Sequence, residues 1–224
     1  VQRIARRVLA AAAFMLVLDL GLVATELPAD AAVSIAVTFD ALVLASHAVV
    51  LATPVEEHAQ MEDGKIWTYT RLHVDSAVAG DAPTGSDVYV RAFGGVVDHI
   101  GMVSEGEPTF SVGKQQLLFL RHSVPGAYNV TADAQGQFVL ESAAPAGAAG
   151  MAAASNQRFR RSRATGLLLQ PKTPEKSVDS AGASTQQSIR VTATPQLATD
   201  MIESRSTADV VRDIAAAYRR LHAR

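Results

Sequence analysis

KIWTYTRLHVDSAVAGDAPTGSDVYVRAF, residues 65–93, decides the fold class of this chain. Within it residues 66–74 alternate, with Ile66, Thr68, Thr70, Leu72 and Val74 on one side and Trp67, Tyr69, Arg71 and His73 on the other. Alternation with a period of two over that length is a half-buried β-strand, because successive side chains leave opposite faces of a pleated backbone. Residues 87–93 repeat the pattern, with Val88, Val90 and Ala92 opposed to Tyr89, Arg91 and Phe93. The glycines and proline of residues 80–85 mark a turn between them. Two neighbouring strands thus offer one apolar face to a core and gather aromatic and cationic side chains on the other.

The flanking sequence extends this pattern. Residues 37–45 carry Phe39, Leu42 and Val43 at helical spacing, with Asp40 near the start, so a short helix is expected. Residues 48–53 form a continuous apolar run, which fits a buried strand. Residues 54–63 are polar and acidic and are expected to form a charged loop before a hairpin, with Asp63-Gly64 as its turn dipeptide. Residues 94–113 contain too many glycines, with Pro108, for a regular element. A short buried strand is expected at 116–121, and 128–131 with 137–140 should form a final hairpin. Five or six strands with one short leading helix, at this spacing, predict a mainly β fold, a small closed or partly closed OB-like barrel.

Composition bounds the chemistry. The chain has 224 residues, 48% hydrophobic and 19% charged, so most of it should bury a core. Twenty Lys and Arg against 22 Asp and Glu leave a net charge of −2, without the basic excess of a general nucleic-acid binder. With no cysteine, a disulfide framework, a thiolate zinc site, an iron–sulfur cluster and a cysteine nucleophile are all excluded.

The ends differ from this middle. Arg3, Arg6 and Arg7 precede an apolar run over 8–18, and Pro28 precedes an A-x-A pattern at 29–31. Residues 1–31 therefore read as a secretory signal peptide cleaved after Ala31, which places the protein outside the cytoplasm, periplasmic or extracellular. The competing reading, a retained anchor, is short of the ~20 apolar residues a span requires and contains Asp19. Residues 33–141 hold nearly all the large apolar and aromatic side chains and form the expected domain, one that should fold alone. Residues 142–198, rich in Ala, Gly, Ser, Thr, Gln and Pro, read as a flexible linker. The basic run Arg158, Arg160, Arg161 and Arg163 around Phe159 falls in it and is expected to be solvated. Residues 199–224 end in an amphipathic helix, with Ser206 and Asp209 at its start and Val210, Val211, Ile214, Tyr218 and Leu221 along one stripe.

The strand leading into Val78-Ala79-Gly80-Asp81, the loop from Gly94-Gly95 to Gly101-Met102, and Gly106-Glu107-Pro108 through Phe110 to Leu120 resemble a family of exported bacterial proteins. Their domain is similar to the OB-fold of netrin-like modules and tissue inhibitors of metalloproteinases. The match spans roughly residues 39–141. The resemblance implies a protein partner of the matrixin-like zinc metalloprotease class, beside which members of the bacterial family are often encoded. The animal inhibitors chelate the protease zinc through an N-terminal cysteine; with no cysteine here, that mechanism transfers to no residue of this chain.

Catalytic constellations are weak. The six histidines, at 47, 58, 73, 99, 122 and 222, include no H-E-x-x-H and no pair four residues apart. Glu56, Glu57 and His58 could seed a metal site, but zinc needs three or four converging ligands and a charged loop is usually solvated. Asp98, His99 and Ser104 have the residue types of a hydrolytic triad, yet triads are assembled from distant segments and no G-x-S-x-G elbow is present. Neither catalytic residue nor cofactor nor metal is therefore assigned, and an enzyme is not expected. The expected site is the aromatic and cationic face, Trp67, Tyr69, Arg71, His73, Tyr89, Arg91 and Phe93, which on an OB-fold lies on the ligand platform of strands 2 and 3. The primary expectation is a non-enzymatic exported module that binds a protein. The runner-up is a binder of extracytoplasmic oligosaccharide or single-stranded nucleic acid through the same face.

Overall fold

A computed structural model describes residues 33–142, 157–171, 196–203 and 205–223. The expected signal peptide lies outside the described residues. The chain runs β1 (Val33–Ile35), α1 (Phe39–Leu44), β2 (Ala48–Glu62), β3 (Lys65–Gly80), β4 (Asp87–Phe93), β5 (Gly95–Val97), β6 (Ile100–Met102), β7 (Gln116–His122), β8 (Ala127–Val130), β9 (Gln137–Ser142), β10 (Gln157–Arg161), β11 (Leu167–Leu169), α2 (Ala198–Ile202) and α3 (Thr207–His222).

It is a mainly β protein built on a seven-stranded sheet in the order β10-β9-β7-β2-β3-β4-β8. β7 also pairs with β8, so β7, β2, β3, β4 and β8 close into a hydrogen-bonded ring. Every contact around that ring is antiparallel except β4 with β8. The first part of β2, residues 48–54, and β7 through Leu120 bury both faces, which explains their continuous apolar runs. Ala48, Val50, Ala52, Leu118 and Leu120 join Leu72, Val74, Val90 and Val130 in one core drawn from all five ring strands. Val49, Leu117 and Phe119 point the other way, into a second core with Phe138, Phe159, Leu42, Val43, Ile202, Val210 and Ile214. That second core is roofed by α1, α2 and α3.

Local chemistry sets the boundaries. Thr38 caps α1 by accepting from the Ala41 N–H, so the helix begins at Phe39 and not at Val37. Ser206 caps α3 by accepting from the Asp209 N–H at 3.2 Å, as the sequence suggests. Asp63 and Gly64 both have positive φ, 49° and 74°, the two-residue turn whose twist matches a hairpin.

Several expectations are corrected. Residues 54–62 are not a loop: β2 continues to Glu62 and pairs with β3 throughout, so the polarity reflects a ribbon exposed on both faces. Residues 94–113 are not wholly irregular, since β5 and β6 form a small hairpin around Asp98, whose φ is 54°. β8 and β9 do not form the final hairpin; β8 closes the ring and β9 pairs with β7 and β10. Residues 157–171 are not linker. β10 extends the sheet, and Phe159 is fully buried between the half-buried Arg158 and the exposed Arg160. The boundary at 141 is corrected for the same reason, because β10, α2 and α3 supply nearly half of the second core.

Gly80 ends β3 with φ 89°, and a Cβ there would overlap the His47 carbonyl and the Ala48 backbone. Gly80→Ala is therefore expected to cost about 2 kcal/mol or more, through both a forbidden φ and a clash that backbone must absorb. A denaturant melt checks this; a midpoint unchanged from wild type contradicts the tight approach of β3 to the α1–β2 corner.

Candidate binding face

β2, β3 and β4 place their outward side chains in cross-strand rows. Gln60, Trp67 and Phe93 form one row, His58, Tyr69 and Arg91 the next, Glu56, Arg71 and Tyr89 a third, and His73 with Asp87 the last. The alternation puts all seven expected residues on this face, while Ile66, Thr70, Leu72, Val74, Val90 and Ala92 are buried beneath it. The helices pack on the other core, so neither they nor the described tail segments cover it.

The rows are locked by specific contacts. Trp67 meets Phe93 edge-on with centroids 5.2 Å apart, and the Arg91 guanidinium lies 3.6 Å over the Trp67 ring. Arg91 also pairs with Glu62, which accepts from the Tyr69 hydroxyl at 2.6 Å. His58 stacks on Tyr69 at 5.6 Å. Arg71 bridges Glu56 at 2.8 Å and Asp87 at 2.6 Å, and Asp87 accepts from His73 at 3.0 Å. Phe93 and Trp67 are half-buried, and Tyr89 is exposed.

The stretch expected to be a charged loop thus supplies Glu56, His58 and Glu62 as partners of the face. Their contribution was not legible from the sequence, because it required β2 to continue past Pro54. Both arginines are neutralised, and three carboxylates outnumber them. Such a face suits a neutral or mixed surface better than a polyanion, whose phosphates would meet Glu56, Glu62 and Asp87.

Hydrogen bonds from Tyr69 and Gln60, with Arg91 nearby, hold Glu62 below its usual carboxylate pKa. Arg71 does the same for Glu56, and His73 with Arg71 for Asp87. A carboxylate whose folded pKa is depressed contributes stability that is present above the unfolded value, about 4, and lost as pH falls through the folded value. The contribution of these pairs to the thermal midpoint is accordingly expected to be complete above the unfolded value and to decline as pH falls from there through the folded values. The triple variant Glu56→Gln, Glu62→Gln, Asp87→Asn should flatten the acid limb below about pH 4.5. An acid limb identical to wild type contradicts the ladder.

A second constellation sits where the α1–β2 corner, the β3–β4 turn, β7, β8 and α3 meet. His122 donates to Asp81 at 2.8 Å, stacks on Tyr128 at 4.8 Å and lies 4.6 Å from His47. The Tyr128 hydroxyl reaches Asp81 at 3.1 Å, and Tyr218 on α3 donates to the His47 carbonyl at 2.9 Å. His222 stacks on Tyr218 at 3.9 Å. An open cavity of about 450 Å³ is lined by His47, Asp81, Tyr218, His222 and neighbours. The cluster of His47, Asp81, His122, Tyr128 and Tyr218 draws on five separate segments, and only the adjacent-strand pairing of His122 with Tyr128 could have hinted at it.

The weaker motifs resolve plainly. Glu56 and His58 share a face that Glu57 leaves, and no group of three metal-ligating side chains forms among the described residues. Asp98, His99 and Ser104 are joined by no hydrogen bond among the described residues, and Asp98 serves the β5–β6 turn. Compared with family models, curated proteins and solved structures, the chain finds no match, so the reading of this face rests on its geometry.

Proposed function

We propose that this chain is an exported, non-enzymatic binding module with an OB-like barrel, whose β2–β3–β4 face recognises a protein partner. The partner class is a secreted zinc metalloprotease, as the resemblance to netrin-like domains implies. The ring of β2, β3, β4, β8 and β7 supports the OB-like reading, since a closed five-stranded sheet is that fold's architecture and its second and third strands carry the ligand platform.

One observation carries the proposal: Trp67, Tyr69, Phe93 and Arg91 form a pre-organised cluster whose rotamers are held by stacking and by Glu62. Trp, Tyr and Arg dominate interface hot spots because they bury large area with little further entropy to lose. The paired arginines weigh against the oligonucleotide reading.

Residues 32–224, immobilised, should retain a protein from the exported fraction, and Trp67→Ala should weaken that complex by about 2 kcal/mol or more, roughly 30-fold. The same variant removes one edge-on pair and one cation–π contact, so it should lower stability by about 1 kcal/mol and leave the fold intact. Equal affinity of wild type and variant overturns the face as the site.

A further inference from the structure

β2 runs beyond the ring. Residues 48–52 pair with β3 on one side and β7 on the other, whereas residues 53–62 pair with β3 alone. The two-residue turn makes Glu62 and Lys65 the closing hydrogen-bonded pair, and hydrogen-bonded and non-hydrogen-bonded pairs alternate from there. Met61 opposite Ile66, Ala59 opposite Thr68 and Glu57 opposite Thr70 are then non-hydrogen-bonded pairs, whose backbone groups face outward. Ile66 fixes this phase. Its N–H donates to Met102 Sδ at 3.3 Å and its carbonyl accepts from the Gly94 N–H at 2.9 Å, both on the side away from β2.

The N–H and C=O groups of Glu57, Ala59 and Met61 therefore line the free side of β2, and among the described residues no hydrogen bond reaches them. Unpaired edge groups are a template for another strand. Residues 55–62 carry Glu56, Glu57 and Glu62 and no Lys or Arg. Val55 and Met61 are exposed beside them. Glu57 leaves the ribbon on the face opposite to Glu56 and Glu62 and has no ion pair among the described residues. A second copy fits poorly, because antiparallel pairing of two such edges about Ala59 sets Glu56 against Glu62 twice, and like charges across strands repel.

We propose that the edge of β2 from Glu57 to Met61 takes an extended cationic segment of the partner as an added strand. The inference rests on the binding-module reading and deepens it. The added strand lies beside the Trp67 face, with alternate side chains on that face and the others over Glu57 and Met61.

The test uses the full chain and a capped seven-residue peptide of alternating Lys and Thr at low salt. Binding is expected, with amide hydrogen exchange slowed at Glu57, Ala59 and Met61 and unchanged at Glu56, His58 and Gln60. N-methylation of two adjacent central peptide residues blocks either register and should weaken binding tenfold or more, while the matching Glu-Thr peptide should not bind. Absence of binding, equal binding of the methylated peptide, or protection without the period of two overturns the edge site. Partner capture that remains sensitive to Trp67→Ala while the peptide fails removes the edge alone; capture insensitive to Trp67→Ala removes the face, whatever the peptide does.

Discussion

Ending the chain after residue 142 is expected to leave a polypeptide without a cooperative melt. The cut removes Phe159, Ile202, Val210 and Ile214, each at most 1% exposed, from the core they share with Val49, Leu117, Phe119 and Phe138. Burying a side chain of this kind is worth about 1.5–3 kcal/mol, so four of them amount to roughly the net stability of a whole domain. The cut also strips the outer face of β2 and β7, whose Leu117 and Phe119 would then meet water. Circular dichroism of residues 33–142 against the full chain decides the matter. A sharp thermal transition in the fragment would show that the ring core stands alone, and that the helices are an addition to it.

Phe159→Ala is expected to cost about 3–5 kcal/mol, the usual range for deleting a fully buried phenyl ring. Arg160→Ser, one residue along, should stay within about 0.5 kcal/mol, because Arg160 is exposed and its pairing with Glu141 at 3.9 Å is loose. The contrast separates a docked strand from a solvated basic tail, because only docking buries Phe159 while leaving Arg160 exposed. Denaturant melts of both variants provide the measurement. Similar small losses in the two would contradict the docking of β10 on β9.

These two results mark where the sequence was legible. Strands with one wet face, β3 and β4, announced themselves by alternation, and their inward and outward residues read correctly from Ile66 to Phe93. β7 and the start of β2, buried on both faces, showed as short apolar runs, and Ser206 announced α3. What failed was context. The outer half of β2 is largely exposed, with only Ala59 partly covered by β5, so its polar residues look like a loop. β10 holds one buried residue, Phe159, among three arginines, and its surroundings in Ala, Gly and Ser carry no periodic signal. Ring closure through the parallel β4–β8 contact depends on pairing distant in sequence, which local patterns do not encode. Most of the candidate face was therefore readable, as Trp67, Tyr69, Arg71, His73, Tyr89, Arg91 and Phe93. The rest, Glu56, His58 and Glu62, became visible only with the long β2–β3 ribbon, and they pair the cations of the face with carboxylates. The His47, Asp81, His122 and Tyr218 cluster was invisible for the same reason, being assembled from segments up to 171 residues apart.

The central claim is that the Trp67 face binds a protein, and one affinity comparison tests it most directly. Wild type and Trp67→Ala, both shown to be folded by a cooperative melt, are titrated against the protein retained from the exported fraction. The account predicts a roughly 30-fold or greater loss of affinity for Trp67→Ala with only a modest fall in the melting midpoint. Equal affinities for the two folded proteins would contradict it.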